Sequence, residues 1–61
     1  MDLLLLKPED AAQMLSLGRS KLYELLAAGE LPVVKVGRAT RIPAAAVREW
    51  VERQAAEVAA R

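Results

Sequence analysis

The chain has 61 residues, a net charge of +1 and an apolar fraction of 54%. That allows one small domain over residues 1–61, which buries only about 60% of its unfolded surface. It contains neither cysteine nor histidine, so disulfide bracing and an ordinary zinc site are excluded, and the best catalytic nucleophile and the common general base are missing. No enzyme activity, metal or cofactor is expected.

Leu3 to Leu6 is a short apolar run, read as an extended segment packed on the core. It is far below the ~20 apolar residues of a membrane-spanning helix. It is also too short for the apolar part of a signal peptide, and Asp2 precedes it where basic residues belong. A cytoplasmic protein is expected. Pro8 suits a first helical position, and Glu9 and Asp10 sit where a helix dipole favours negative charge. With Ala11, Ala12, Met14 and Leu15 as the apolar face, the first helix runs from about Pro8 to Leu15. Lys7 is a poor cap for it.

Ser16, Leu17 and Gly18 form a break in which Leu17 plugs the space between helices and Gly18 caps the second helix. That helix spans about Arg19 to Ala28 and ends at Gly29, which fits the left-handed position beyond a helix terminus. Two helices joined by so short a turn form a helix-turn-helix. Helical periodicity puts Leu22, Leu25 and Leu26 inward and Ser20, Glu24 and Ala27 outward, flanked by Lys21 and Ala28 on one side and Tyr23 on the other.

After Pro32, Val33–Val36 and Thr40–Ile42 read as two antiparallel strands joined by the three residues Gly37, Arg38 and Ala39. In that register Val34, Val36 and Ile42 point inward, Lys35 and Arg41 point outward, and Arg38 occupies the tip. Pro43 opens a third helix in which Val47, Trp50, Val51, Gln54 and Val58 make one stripe, core-facing as far as Val51. Trp50 and Tyr23 are the only aromatic residues, so Trp50 is expected to carry a large share of the core. Residues 3–51 form that core, and 52–61 a helical extension. The expected fold is mostly α with a small β-hairpin wing: a winged helix-turn-helix with three helices.

Charge is unevenly placed. Arg19 to Arg41 holds five basic residues against two acidic ones, net +3, while the rest of the chain is net −2. A basic helix-plus-hairpin unit is the footprint of a DNA-contacting face, the helix in a major groove and the hairpin on adjacent backbone or minor groove. A solvated surface of mixed sign would look the same in charge alone.

Taken in order, the Pro-Glu-Asp-Ala-Ala start, Arg19-Ser20-x-Leu22-Tyr23, Gly29-Glu30-Leu31-Pro32, Val36-Gly37-Arg38, Arg41-Ile42-Pro43 and Trp50 resemble the excisionase-type winged helix-turn-helix. That family is related to the DNA-binding domains of MerR-like regulators. The resemblance covers about Leu3 to Val51. It implies binding to double-stranded DNA, with Ser20, Lys21 and Tyr23 at or beside the major groove, Arg19 near the backbone, and Arg38, Thr40 and Arg41 in the wing beside Lys35. It also implies a recombination directionality factor that bends attachment-site DNA and helps a tyrosine integrase carry out excision; the few contacts one copy can make call for several copies side by side on tandem sites, with cooperative self-association. Three positions depart from the pattern. Position 16 is often Gly in the family and is Ser here; position 18 is often Ser and is Gly here. Position 24 is often basic and is Glu24 here, either a reader of cytosine N4 or a side chain kept off the DNA, the second being favoured. A small transcription regulator on the same fold and a protein-interaction module docking through 52–61 are the alternatives.

Overall fold

The computed structural model describes residues 4–60. In chain order they form β1 (Leu5–Leu6), α1 (Pro8–Met14), α2 (Arg19–Ala27), β2 (Val34–Val36), β3 (Ala39–Pro43) and α3 (Ala44–Ala59). The three strands make an antiparallel sheet in the order β1-β3-β2. Three helices with this sheet are the expected winged helix-turn-helix architecture. Leu3 and Arg61, the outer limits of the expected core and extension, lie outside the described residues.

Local chemistry sets the helix boundaries. Pro8 occupies the first turn of α1, where its missing N–H leaves nothing unpaired, and Glu9 and Asp10 follow it. The Lys7 carbonyl accepts the N–H groups of Asp10 and Ala11, each at 3.0 Å, but the Lys7 side chain caps nothing. Gly18 precedes α2 in extended backbone and also contributes no side-chain cap. α1 and α2 end in the same way. At α2, Gly29 N–H donates to the Leu26 carbonyl and Glu30 N–H to the Leu25 carbonyl, with Gly29 at φ +77°. At α1, Ser16 N–H donates to the Gln13 carbonyl and Leu17 N–H to the Ala12 carbonyl, with Ser16 at φ +56°. Both are Schellman endings, whose left-handed residue is ordinarily glycine. The first of them uses serine.

The core lies where α1, α2 and α3 meet β1 and β3. Leu22, Leu31 and Ile42 are its largest fully buried side chains, surrounded by Leu6, Leu25 and Val47. Ala11, Ala12 and Ala44 are buried too, and their small side chains let the elements approach closely. Leu17 packs against this cluster from the α1–α2 turn, as its position between the helices requires. Leu31 has no periodic partner in the sequence, yet it is 1% exposed.

β3 is the central strand. Leu6 pairs with Ile42 and Leu5 with Pro43, so the first apolar run adds a strand and does not merely pack on the core. The Leu4 carbonyl also accepts the Ala44 N–H at 3.0 Å, satisfying a donor at the start of α3. Pro43 both ends β3 and serves as the N-cap residue of α3.

Three sequence expectations are corrected. The hairpin connection is two residues, Gly37 and Arg38, because Ala39 pairs with Val36 and belongs to β3. Gly37 at φ +62° followed by a residue of negative φ fits a II′ turn. Shortening the loop by one residue shifts the register by one, and that exchanges the faces of one strand relative to the other. Val34 now pairs with Arg41, Lys35 with Thr40 and Val36 with Ala39. Val34, Val36 and Arg41 therefore share one face, while Lys35 and Thr40 lie on the face of Ile42. Val36 is exposed, not inward.

Second, Trp50 is half-buried at the edge of the core, and the aliphatic residues carry its centre. Its indole Nε1 is buried without a hydrogen-bond partner. Third, Val51, expected to face the core, is 46% exposed; Val58, in the extension beyond it, is 68% exposed. The stripe on α3 continues in sequence, but the globule ends beneath it. A helix of 16 residues is about 24 Å long, and only its first half has the core to pack against.

Candidate nucleic-acid interface

α2 is oriented by its leucines. Leu22 is fully buried, Leu25 nearly so and Leu26 half-buried, which turns Arg19, Ser20, Lys21, Tyr23, Glu24 and Ala27 to the exposed side. Arg19, Ser20, Tyr23, Glu24 and Ala27 line one shallow depression along the helix. The Arg19 guanidinium carbon lies 6.0 Å from the centre of the Tyr23 ring, at the outer limit of a cation–π contact. Lys21 Nζ is 4.0 Å from Glu24 Oε2, with both side chains largely exposed. The small side chains of Ser20 and Ala27 leave this face low on either side of Glu24, and Arg19, Lys21 and Tyr23 stand along its edges.

The wing presents cations on both faces and at its turn. Lys35 Nζ donates to Thr40 Oγ1 at 2.8 Å across the hairpin, consistent with their opposed register. Arg41 Nη1 donates to the Thr40 carbonyl at 2.8 Å on the opposite face, and its side chain is partly buried. Arg38 is exposed in the turn itself. Lys35 and Arg41 therefore do not form the single outward pair expected from a three-residue loop. Lys35 is joined to Thr40, and Arg41 lies beside Val34. Periodicity could locate Thr40 in the wing but could not show that it anchors the Lys35 ammonium.

Arg53 is a further cation near α2. Its Nη2 donates to the Glu30 carbonyl at 3.3 Å, tying the middle of α3 to the turn after α2. Sequence spacing gives no sign of this contact between positions 23 residues apart. Among the described residues no cluster of three or more acidic, histidine or cysteine side chains is placed to hold a metal ion. No described helix is long and apolar enough to cross a membrane.

Comparison with known proteins agrees with this architecture. A model described as a helix-turn-helix domain matches residues 5–55. The chain is similar to a probable excisionase of Saccharopolyspora erythraea, with 45% identity over 56 residues, covering 92% of this chain and 57% of that protein. It is also similar to an excisionase of Streptomyces ambofaciens, with 41% identity over 54 residues, covering 88% of this chain and 86% of that protein. The chain thus spans little more than half of the first relative and most of the second. No solved structure gives a significant match. The match over 5–55 together with the S. ambofaciens relative establishes the family: this chain belongs to the excisionase family of helix-turn-helix domains.

Proposed function

We propose that this chain is a DNA-binding excisionase, a non-catalytic factor that promotes the excision reaction of an integrase. The observation that carries the reading is the exposed face of α2, where the short Ser20 and Ala27 flank a central Glu24 and Arg19, Lys21 and Tyr23 stand at the rim. A helix with that relief can lie close to a groove floor, with its cations at the phosphates and its polar side chains at base edges. Lys35, Arg38 and Arg41 supply the second grip. Arg38 is carried to the end of the hairpin by the II′ turn, and Lys35 is held by Thr40. The names of the two relatives support the excision role.

So few cations make a weak, salt-sensitive complex for one copy. Several copies on adjacent sites would supply useful affinity, each bending the duplex a little. The exposed half of α3, with Val51, Val58 and neighbouring Met14 uncovered, is the surface left for an integrase or an adjacent copy. The working compartment under this reading is the cytoplasm, where the chromosome lies.

The test combines gel shifts on duplexes from the candidate attachment region with an in vitro excision assay using the cognate integrase. Salt-dependent retention and excision that requires this protein are expected. Retention with excision equally efficient in its absence would make the chain a small transcription regulator. No retention of any duplex at low salt would leave a protein-interaction module.

A further inference from the structure

Resting on the docking of α2 just proposed, we infer that Glu24 reads sequence: its carboxylate accepts a hydrogen bond from a cytosine N4 amino group, while Lys21 supplies the cation that lets it approach.

The placement comes from the helix. Leu22, Leu25 and Leu26 define the inner side of α2, and the opposite pole is shared by Ser20, Glu24 and Ala27. Ser20 and Ala27 are short. Glu24 is the one member of that row long enough to project beyond its neighbours, and nothing on the helix surface shields it. If this face enters a groove, the first side chain to reach the floor is a carboxylate.

Electrostatics then requires a reason for it. A bare carboxylate between two phosphate strands is repelled, and the repulsion grows as water is displaced. Lys21, three residues earlier, stands 4.0 Å away and makes the pair neutral. With side chains 62% and 69% exposed, the pair contributes little to folding. Both partners are therefore free to turn toward a ligand at small cost to the domain.

The chemistry of the groove selects the base. An ionised carboxylate accepts hydrogen bonds and donates none. The major groove offers two donors, cytosine N4 and adenine N6. Beside adenine N6 lies N7, a lone-pair acceptor that repels a carboxylate, whereas cytosine presents no acceptor on that edge. Across the same base pair, guanine shows O6 and N7, both acceptors suited to the Lys21 ammonium. Together, Lys21 and Glu24 complement one G·C pair in one orientation, with the cytosine toward Glu24. Substituting a basic side chain at position 24 would leave that face with cations alone, able to hold phosphate or guanine but not to select cytosine.

The experiment uses the full 61-residue chain. Wild type, Glu24→Gln and Glu24→Ala are each put through selection from a randomised duplex library at one fixed salt concentration. The selected duplex and its single-pair variants are then compared by competition gel shift, with circular dichroism confirming that all three proteins fold. Wild type should prefer cytosine at one position by roughly five- to thirtyfold over the other bases. Glu24→Ala should become indifferent there, and Glu24→Gln should move its preference to adenine, which offers Gln a donor and an acceptor side by side. The inference is overturned if both variants keep the wild-type preference at every position and bind all duplexes more tightly by one common factor. That outcome would leave DNA binding intact. Failure of the wild type to retain any duplex would instead remove the docking of α2 and this inference with it.

Discussion

Ser16 and Gly18 occupy each other's natural positions, and exchanging them should stabilise the fold. Ser16 is the left-handed residue of the Schellman ending of α1, at φ +56°. An L side chain there costs roughly 1–2 kcal/mol, and no hydrogen bond of its hydroxyl offsets that among the described residues. Glycine relieves the strain but returns about 0.5–1 kcal/mol as unfolded-chain entropy, leaving a net gain of ~0.5–1 kcal/mol for Ser16→Gly. Gly18 is the reverse case. It sits at φ −69°, ψ 159° as N-cap of α2, a conformation any residue adopts, and a Cβ added there meets nothing within 4 Å. Gly18→Ser gains a few tenths of a kcal/mol from the cap and about 0.4–1 kcal/mol from a stiffer unfolded chain. The double exchange should contribute ~1–2 kcal/mol. A domain of this length holds only about 3–9 kcal/mol in total, so Tm should rise by about 5–15 °C. Thermal melts of the wild type, both single variants and the double variant, followed by far-UV circular dichroism, read it directly. A Tm for Ser16→Gly at or below that of the wild type would refute the strain argument, and the same result for Gly18→Ser would refute the capping argument.

Leu22 is fully buried at the centre of the core, so Leu22→Ala should cost about 2–5 kcal/mol, a large part of the domain's total, and lower Tm by about 8–40 °C in melts followed by circular dichroism. Trp50→Phe removes the one buried indole N–H that lacks an acceptor. Its cost in urea denaturation should stay below about 1 kcal/mol, because the lost packing is offset by a donor no longer stranded. Truncation after Gln54 removes Ala55 to Ala60, all exposed, together with Arg61. Tm should change by a few degrees at most, and unchanged cooperative binding and excision would retire the C-terminal tail as a contact surface. Arg38→Ala, in the exposed turn, should weaken binding alike on all duplexes and flatten the log K against log salt slope by about 0.9.

What the sequence made legible follows the range of each physical signal. Pro8, Gly18 and Gly29 mark helix ends through local backbone preferences, and α1 and α2 begin and end within a residue of the expected places. The outer face of α2 was equally readable, because three leucines at helical spacing define its opposite. The wing was readable as a hairpin but not in register. Gly37-Arg38-Ala39 fits a three-residue connection as well as Gly37-Arg38 fits two, and only the pairing of β3 with β1 and the core selects between them. That single residue moved Arg41 to the face opposite Lys35. Leu31 sits between Gly29 and Pro32, where no periodicity operates to mark it as core, yet it fills the core. Trp50 is the converse case, since size alone does not say where a globule stops. Two pairings, Lys21 with Glu24 and Lys35 with Thr40, depend on side-chain geometry that spacing permits without requiring.

Pro43 closes β3 and starts α3 with no residue between them. α3 is thus a direct continuation of the strand that carries Arg41, and a prolyl ring of fixed φ sits at the junction. Whatever grasps the far end of α3 would inherit its bearing relative to the double helix from this one covalent corner.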